Sequence, residues 1–197
     1  MTPLDHTHDP AARSWVASAN VPGCDFPIQN LPFAVFRQQG SDEPFRGGVA
    51  IGDQIVDLAR LALSGSMDGL AQEAALAGAQ PQLNALMAMG PQAARALRHA
   101  LFDLLKETAD GAAVARLRSC LTPQAAAQYA LPVQVRNYTD FYTSIHHARN
   151  VGHMIRPDQP LSPNFQWLPI AYHGRASSVV PSGTDFHRPL GQAFPAG

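Results

Sequence analysis

The chain has 197 residues, of which 46% are hydrophobic and 15% charged, so it can bury the core of one large or two small domains. Its 14 basic and 15 acidic residues leave a net charge of -1, which provides no electrostatic basis for binding nucleic acid or an anionic membrane. This composition favours a soluble globular protein that acts on small molecules or other proteins.

The first 24 residues have the features of a flexible arm. They contain His6 and His8 beside acidic residues, but they lack the basic segment and apolar segment of a secretory signal. We therefore expect both histidines to be solvated rather than to bind a metal.

Cysteine usage and hydropathy indicate the compartment. Cys24 and Cys120 are too few and too far apart in sequence for a disulfide framework or a zinc pattern. No stretch approaches the roughly 20 apolar residues of a membrane span. We expect a reducing, cytoplasmic location.

Residues 33–57 carry the signals of β-structure. Phe33 and Val35 alternate with other residues, and further apolar residues flank Gly52 and Asp53. A two-residue Gly-Asp loop suits a tight primed turn, because glycine accepts the positive φ that such a turn requires. These features predict a hairpin that turns at residues 52–53.

Between residues 58 and 129 the composition shifts to Ala, Leu, Gln and Arg. Apolar residues recur there at helical spacing, as at Leu97 and Leu101. Pro91 is suited to open a helix, and Thr122-Pro123 supplies an N-cap followed by a first-turn proline. We expect three or four short helices in this region.

Leu131-Pro132 interrupts the helical pattern, because proline disfavours helix in the residue before it. We place a domain junction here. The chain then consists of the arm over residues 1–24, a first domain over residues 25–130 and a second over residues 131–197.

Three elements are predicted in the second domain. Residues 142–151 suit a short helix, and the four prolines between residues 157 and 169 indicate an extended loop. Residues 177–180 predict a short strand.

Reactive side chains concentrate at the start of the second domain. Asp140 can hold a hard cation, His147 can accept a proton from water near neutral pH, and Arg156 can grip an anion. Taken singly, these residues would more often be a turn or helix-cap aspartate, a structural or exposed histidine and one half of a surface ion pair. The spacing and the flanking sequence decide between these interpretations.

Long ordered motifs surround this cluster. They are DFYTSIHHARNVG (residues 140–152), LPIAYHGRASS (168–178), SGT (182–184) and RPLGQ (188–192), with DFPIQNLP (25–32) and GVAIGDQI (48–55) near the start. Together they closely resemble the fumarylacetoacetase family. The resemblance spans most of the chain from Asp25 to Gln192 and is weaker in the Ala/Leu-rich middle.

This resemblance implies an α+β, mainly β architecture. An N-terminal SH3-like barrel with helices would occupy residues 25–130, and the beginning of a β-roll catalytic domain would occupy residues 131–197. Family members continue well beyond the position of Gly197. We therefore expect the β-roll to be incomplete and the chain to be the front part of a longer protein.

The resemblance also implies a metal ligand and a catalytic base. Asp140 matches the first ligand of a divalent ion, Ca²⁺ or Mg²⁺, whose further acidic ligands are expected after Gly197. His147 matches the histidine that activates water. The neighbouring His146 would point about 100° away on a helix, so only one of the two can face the site.

Three further residues match substrate-binding positions of the family. Arg156 corresponds to the residue that binds a substrate carboxylate, and Tyr142 and Tyr172 correspond to tyrosines that contact substrate. Gly174, in the HGRASS motif, is expected to allow a tight backbone path beside the site.

The implied function is hydrolysis of the carbon–carbon bond of 4-fumarylacetoacetate to fumarate and acetoacetate, in tyrosine and phenylalanine catabolism. The implied partners are this small-molecule substrate and, at full length, a second copy in a homodimer, with neither nucleic acid nor membrane. The isolated 197-residue chain is expected to be inactive, because the remaining metal ligands and the oxyanion-stabilising groups would follow it.

Two alternatives stay open. The chain could be a non-catalytic interaction or dimerisation module. It could also belong to a related keto-acid hydrolase or lyase that uses the same metal platform for another reaction. The N-terminal domain argues against this second alternative, because the simpler relatives commonly lack it.

Overall fold

Residues 33–57 form the centre of an antiparallel sheet, as the sequence predicts. Strands β1 (Phe33–Gln38), β2 (Arg46–Ile51) and β3 (Gln54–Asp57) pair in sequence order. Gly52 has a φ of +56° at the turn between β2 and β3. The predicted hairpin and the role of its glycine are therefore confirmed.

The computed structural model describes residues 4–168 and 170–192. Residues 1–3 of the predicted arm and Pro169 of the predicted loop lie outside this described part, as do residues 193–197. The chain divides into two units, Met1–Gln134 and Val135–Gly197. Its described residues have the α+β architecture that was expected.

Two short strands complete the sheet of the first unit. They are β4 (Leu121–Pro123) and β5 (Ala127–Ala130), which lie at opposite edges in the order β4-β3-β2-β1-β5. Only the 3-10 turn Gln124–Ala126 joins them. The edges of a flat five-stranded sheet would lie about 19 Å apart, whereas four peptide links span at most about 14 Å. The sheet is therefore curled into a half-barrel.

Residues 121–130, at the end of the Ala-rich region, do not form the α-helix that was predicted there. Thr122 pairs with Ile55 of β3, and Tyr129 pairs with Phe36 of β1. The prediction of a helix starting at Thr122-Pro123 is wrong, because pairing with two distant strands outweighs the helix propensity of the alanines.

Five α-helices lie in the sequence between β3 and β4, where three or four were predicted. They are α1 (Leu58–Leu63), α2 (Gly69–Gly78), α3 (Asn84–Ala88), α4 (Gly90–Leu105) and α5 (Gly111–Arg118). Pro91 lies in the first turn of α4, as predicted. Leu97 and Leu101 are buried in one core with Val35 and Val49 of the sheet. No helix in the described residues is long and apolar enough to span a membrane.

The N-terminal segment is anchored to the rest of the first unit at Thr7 and Ser14, contrary to the prediction of a flexible arm. Its 3-10 helix His6–His8 buries Thr7 completely, and the Thr7 hydroxyl accepts a hydrogen bond from Arg98 Nε at 2.9 Å. The Ser14 hydroxyl donates to the carbonyl of Leu105 at 2.7 Å. The prediction failed because the polar side chains of this segment find partners on α4, which a local reading of the sequence does not reveal.

A buried carboxylate connects the sheet to the helices. Asp57 is fully buried at the end of β3, and its Oδ1 accepts hydrogen bonds from the N–H groups of Ala59 and Arg60 at 3.0 and 3.2 Å. Its Oδ2 accepts one from Arg46 Nε of β2 at 2.6 Å. The backbone N–H of Asp57 donates to the carbonyl of Cys120 at 2.8 Å. One residue thus caps α1 and ties it to the sheet.

In the second unit, an antiparallel ribbon is combined with one helix. The ribbon consists of β6 (Thr139–Phe141) and β7 (Ala171–His173), and helix α6 spans Ile145–Ile155. The helix predicted over residues 142–151 is confirmed with shifted ends. Ser144 sets its start, because its hydroxyl accepts a hydrogen bond from the His147 N–H.

The two remaining predictions for this unit have different outcomes. The segment from Pro157 to Leu168 has no helix or strand, as its prolines predict. The strand predicted over residues 177–180 is wrong: Ala176–Ser178 form a 3-10 turn, and no described strand pairs with this segment. A strand requires such a partner, and the apolar Val179 and Val180 do not supply one.

Asp57→Ala is expected to lower the free energy of unfolding by about 3 kcal/mol, because it removes the buried partner of Arg46 and the cap of α1. Urea denaturation followed by circular dichroism measures the loss. Asp68→Ala is the matched control, since exposed Asp68 is the N-cap residue of α2 but its side chain makes no capping hydrogen bond. The control is expected to change stability by less than about 0.5 kcal/mol. Equal losses in both variants would contradict the role of Asp57.

Candidate active site in the second unit

A cavity of about 410 Å³ lies between α6, the segment that follows it and the β6-β7 ribbon. Its lining includes four of the five site residues predicted from the sequence: Tyr142, His147, Arg156 and Tyr172. Two apolar residues of α6, Val151 and Ile155, line it as well. The cavity therefore combines apolar walls with groups that can bind an anion or move a proton.

Helical periodicity brings His147 to the cavity. His147, Val151 and Ile155 are spaced four residues apart, so they lie on one face of α6. His146 is exposed and is not among the lining residues. The ring of Tyr142 meets that of His147 edge-on, with 5.3 Å between the ring centroids. Of the two adjacent histidines, only His147 is in position to act in this cavity.

The ribbon supplies the opposite wall through strand alternation. Asp140 is paired with Tyr172, and the Tyr142 N–H donates to the carbonyl of Ile170 at 2.8 Å. All four side chains consequently share one face of the ribbon. Tyr142, Ile170 and Tyr172 line the cavity, whereas Asp140, directly opposite Tyr172, is exposed and is not among the lining residues.

Asp140 has the chemistry of a ligand for a hard cation but not a complete ligand set. Ca²⁺ and Mg²⁺ take about six or more oxygen ligands. In residues 4–168 and 170–192, the one group of three acidic, His or Cys side chains close enough to share an ion belongs to the first unit. Asp140 would therefore hold Ca²⁺ or Mg²⁺ only together with ligands from elsewhere.

Two glycines allow the close backbone contacts that shape this unit. Gly152 is buried on α6, and a Cβ placed there would collide with the carbonyl of Pro160. The N–H of Gly174 donates to the carbonyl of Tyr138 at 2.7 Å, and a Cβ at Gly174 would collide with the Tyr138 ring. The tight backbone path expected at Gly174 is confirmed.

The Pro-rich segment forms a wall of the cavity that the sequence did not predict. Pro160, Ser162 and Phe165 line the cavity, and the Phe165 ring lies 6.0 Å from that of Tyr142, centroid to centroid. This segment has no periodicity from which its inward face could be read. The one available signal was the presence of two aromatic residues, Phe165 and Trp167, within a polar, Pro-rich loop.

Gly152→Ala is expected to separate α6 from the Pro160 segment, because the added methyl group has no space. We expect a loss of about 1–3 kcal/mol in the local stability of α6, seen as faster hydrogen exchange of its backbone amides. Gly191→Ala is the matched control, since Gly191 has open space around the position of a Cβ. Unchanged exchange in Gly152→Ala would show that the contact does not constrain the cavity.

Comparison with known proteins identifies the family. The family model described as Fumarylacetoacetase N-terminal matches residues 29–132. Fumarylacetoacetase of Oryza sativa subsp. japonica is 45% identical over 192 residues, which cover 94% of this chain and 44% of the relative. The Caenorhabditis elegans protein of that name is 49% identical, with 85% of this chain and 40% of the relative covered. For the Homo sapiens protein the identity is 45%, with coverages of 87% and 41%.

The match extends through the cavity as well as the first unit, since most of the chain is aligned with these relatives. The chain spans about two-fifths of the length of the curated relatives it matches. The family model, the relatives and the motifs agree, and the chain belongs to the fumarylacetoacetase family.

Proposed function

We propose that the second unit supplies part of the active site of a fumarylacetoacetase, which hydrolyses 4-fumarylacetoacetate to fumarate and acetoacetate in tyrosine and phenylalanine catabolism. The observation that carries this proposal is that Tyr142 and Tyr172 from the ribbon, His147 from α6 and Arg156 from the end of α6 line one cavity. The relatives that bear this enzyme name support the choice of substrate.

His147 is proposed as the general base. Its neutral imidazole would take a proton from a water molecule as that water adds to a carbonyl carbon of the substrate. The carbon–carbon bond then breaks, and the electron pair leaves with the acetoacetate fragment, which is subsequently protonated. The ring of Tyr142, which meets the His147 ring edge-on, supports this role because the contact restricts the orientation of the imidazole.

Arg156 and the two tyrosines are proposed to hold the substrate. A guanidinium can bind a carboxylate with two parallel hydrogen bonds, and the substrate carries a carboxylate at each end. The phenols of Tyr142 and Tyr172 could donate to substrate oxygens while their rings exclude water. Their location on opposite strands of one ribbon face supports a shared substrate contact.

Asp140 is proposed as one ligand of a Ca²⁺ or Mg²⁺ ion, with the other ligands supplied from outside the described residues. When bound, such an ion would stabilise the negative charge that develops on the substrate. The exposed carboxylate of Asp140, on the ribbon face that carries Tyr142 and Tyr172, supports this assignment.

We further propose that the half-barrel of the first unit is an SH3-like barrel and that the second unit begins a β-roll catalytic domain. The short connection between the two edge strands supports the barrel, since it forces strong curvature on the sheet. A cytoplasmic location and a homodimer at full length complete the proposal. The location rests on the sparse cysteines, both of which are free in the structure.

In the full-length protein, His147→Gln is expected to lower kcat by about a hundredfold to ten-thousandfold. This is the usual contribution of a general base. The assay measures hydrolysis of fumarylacetoacetate with added Mg²⁺ or Ca²⁺. His146→Gln is the matched control and is expected to retain activity, since His146 does not line the cavity. Equal losses in the two variants would refute the assignment of His147.

Arg156→Lys is expected to raise KM about tenfold or more with a smaller effect on kcat, because lysine cannot reproduce a two-point carboxylate contact. Steady-state kinetics on the same protein measures both constants. Arg149→Lys is the control, because Arg149 is exposed on α6 and is not among the cavity residues. An unchanged KM in Arg156→Lys would remove Arg156 from the substrate site.

A further inference from the structure

Asp5, His6 and His99 form a cluster in the first unit that the proposed function does not use. One potential metal-binding atom from each of the three side chains lies within 4.8 Å of the other two. Asp5 Oδ2 and His99 Nε2 are 2.8 Å apart. The rings of His6 and His99 lie 4.8 Å apart, centroid to centroid. The cluster joins the N-terminal 3-10 helix to α4.

Neighbouring groups hold the Asp5 carboxylate in place. Its Oδ1 accepts hydrogen bonds from the Thr7 backbone N–H at 3.1 Å and from the Thr7 hydroxyl at 2.8 Å. Thr7 is in turn fully buried and bound by Arg98. The carboxylate is therefore held in a fixed orientation, as hydrogen bonds to neighbouring groups hold the ligands of metal sites in general.

The donor set selects a class of ion. Two imidazoles and one carboxylate suit Zn²⁺ and similar transition metals, whereas Ca²⁺ and Mg²⁺ require more oxygen ligands. Ligand atoms in a tetrahedral zinc site lie roughly 3.3 Å apart, given bonds of about 2.0 Å. Asp5 and His99 are already close to this separation. The His6 side chain is 50% exposed, so it has space on its solvent side to rotate toward them.

We propose that Asp5, His6 and His99 bind a divalent transition-metal ion of the zinc type, which fastens the N-terminal 3-10 helix to α4. An open fourth position would be filled by water or by another ligand. The competing explanation is purely structural. His6 also lies 3.8 Å from Asp103 and packs its ring against Phe102, which could by itself explain its position.

Zn²⁺ titration of the metal-free 197-residue chain, by isothermal calorimetry, distinguishes the two explanations. The unsubstituted chain is expected to bind one Zn²⁺ tightly, and binding should raise its Tm because the folded state is stabilised by mass action. His6→Ala is expected to weaken binding by about tenfold or more, since it removes one of three ligands. It leaves the Asp5–His99 hydrogen bond in place, so circular dichroism should show an intact fold.

His187→Ala is the matched control, because His187 is exposed in the second unit. This variant removes one histidine but should bind Zn²⁺ as the unsubstituted chain does. His99→Gln is a second test on the other element, and it should also weaken binding. Failure of the unsubstituted chain to bind Zn²⁺, or equal affinity in His6→Ala and His187→Ala, would overturn the proposal.

Discussion

The buried carboxylate of Asp57 is the interaction on which the first unit depends. It lies where the sheet ends and the helices begin, and its oxygens are shared between the first turn of α1 and Arg46 of β2. A buried charge of this kind is tolerated only when it is paired and fully hydrogen-bonded. The positions of α1 and of the start of β2 are thus set together. The backbone N–H of Asp57 also donates a hydrogen bond to the carbonyl of Cys120, which directly precedes β4.

Curvature of the sheet follows from the connection between its edges. Because a three-residue turn joins β4 to β5, the half-barrel has to bring opposite edges toward each other. Helices α1 to α5 contribute buried apolar residues to the same core as the sheet. The N-terminal segment adds hydrogen bonds to α4 and brings Asp5 and His6 beside His99. Packing of this segment therefore creates a cluster of metal-binding side chains from parts of the sequence that are far apart.

In the second unit, two regular periodicities and one close contact create the cavity. The helical repeat presents His147 with Val151, and strand alternation presents Tyr142 with Tyr172. Contact between Gly152 and Pro160 brings the Pro-rich segment across to form the third wall. In the proposed enzyme, catalysis would need these groups held at fixed distances from the substrate, and the Gly152 contact helps to fix one wall of the cavity that holds them.

The sequence by itself determined the features that depend on near neighbours: the Gly52 turn, the buried face of α4 around Leu97, and the family to which the chain belongs. It also indicated that Tyr142, His147 and Arg156 belong to one site, because they stand close together in the sequence. Only the tertiary structure decided that residues 121–130 are strands and that the N-terminal segment is packed. The tertiary structure likewise decided that Phe165 lines the cavity. The energies responsible come from pairing and contacts between residues distant in the chain, which local propensity and periodicity do not contain.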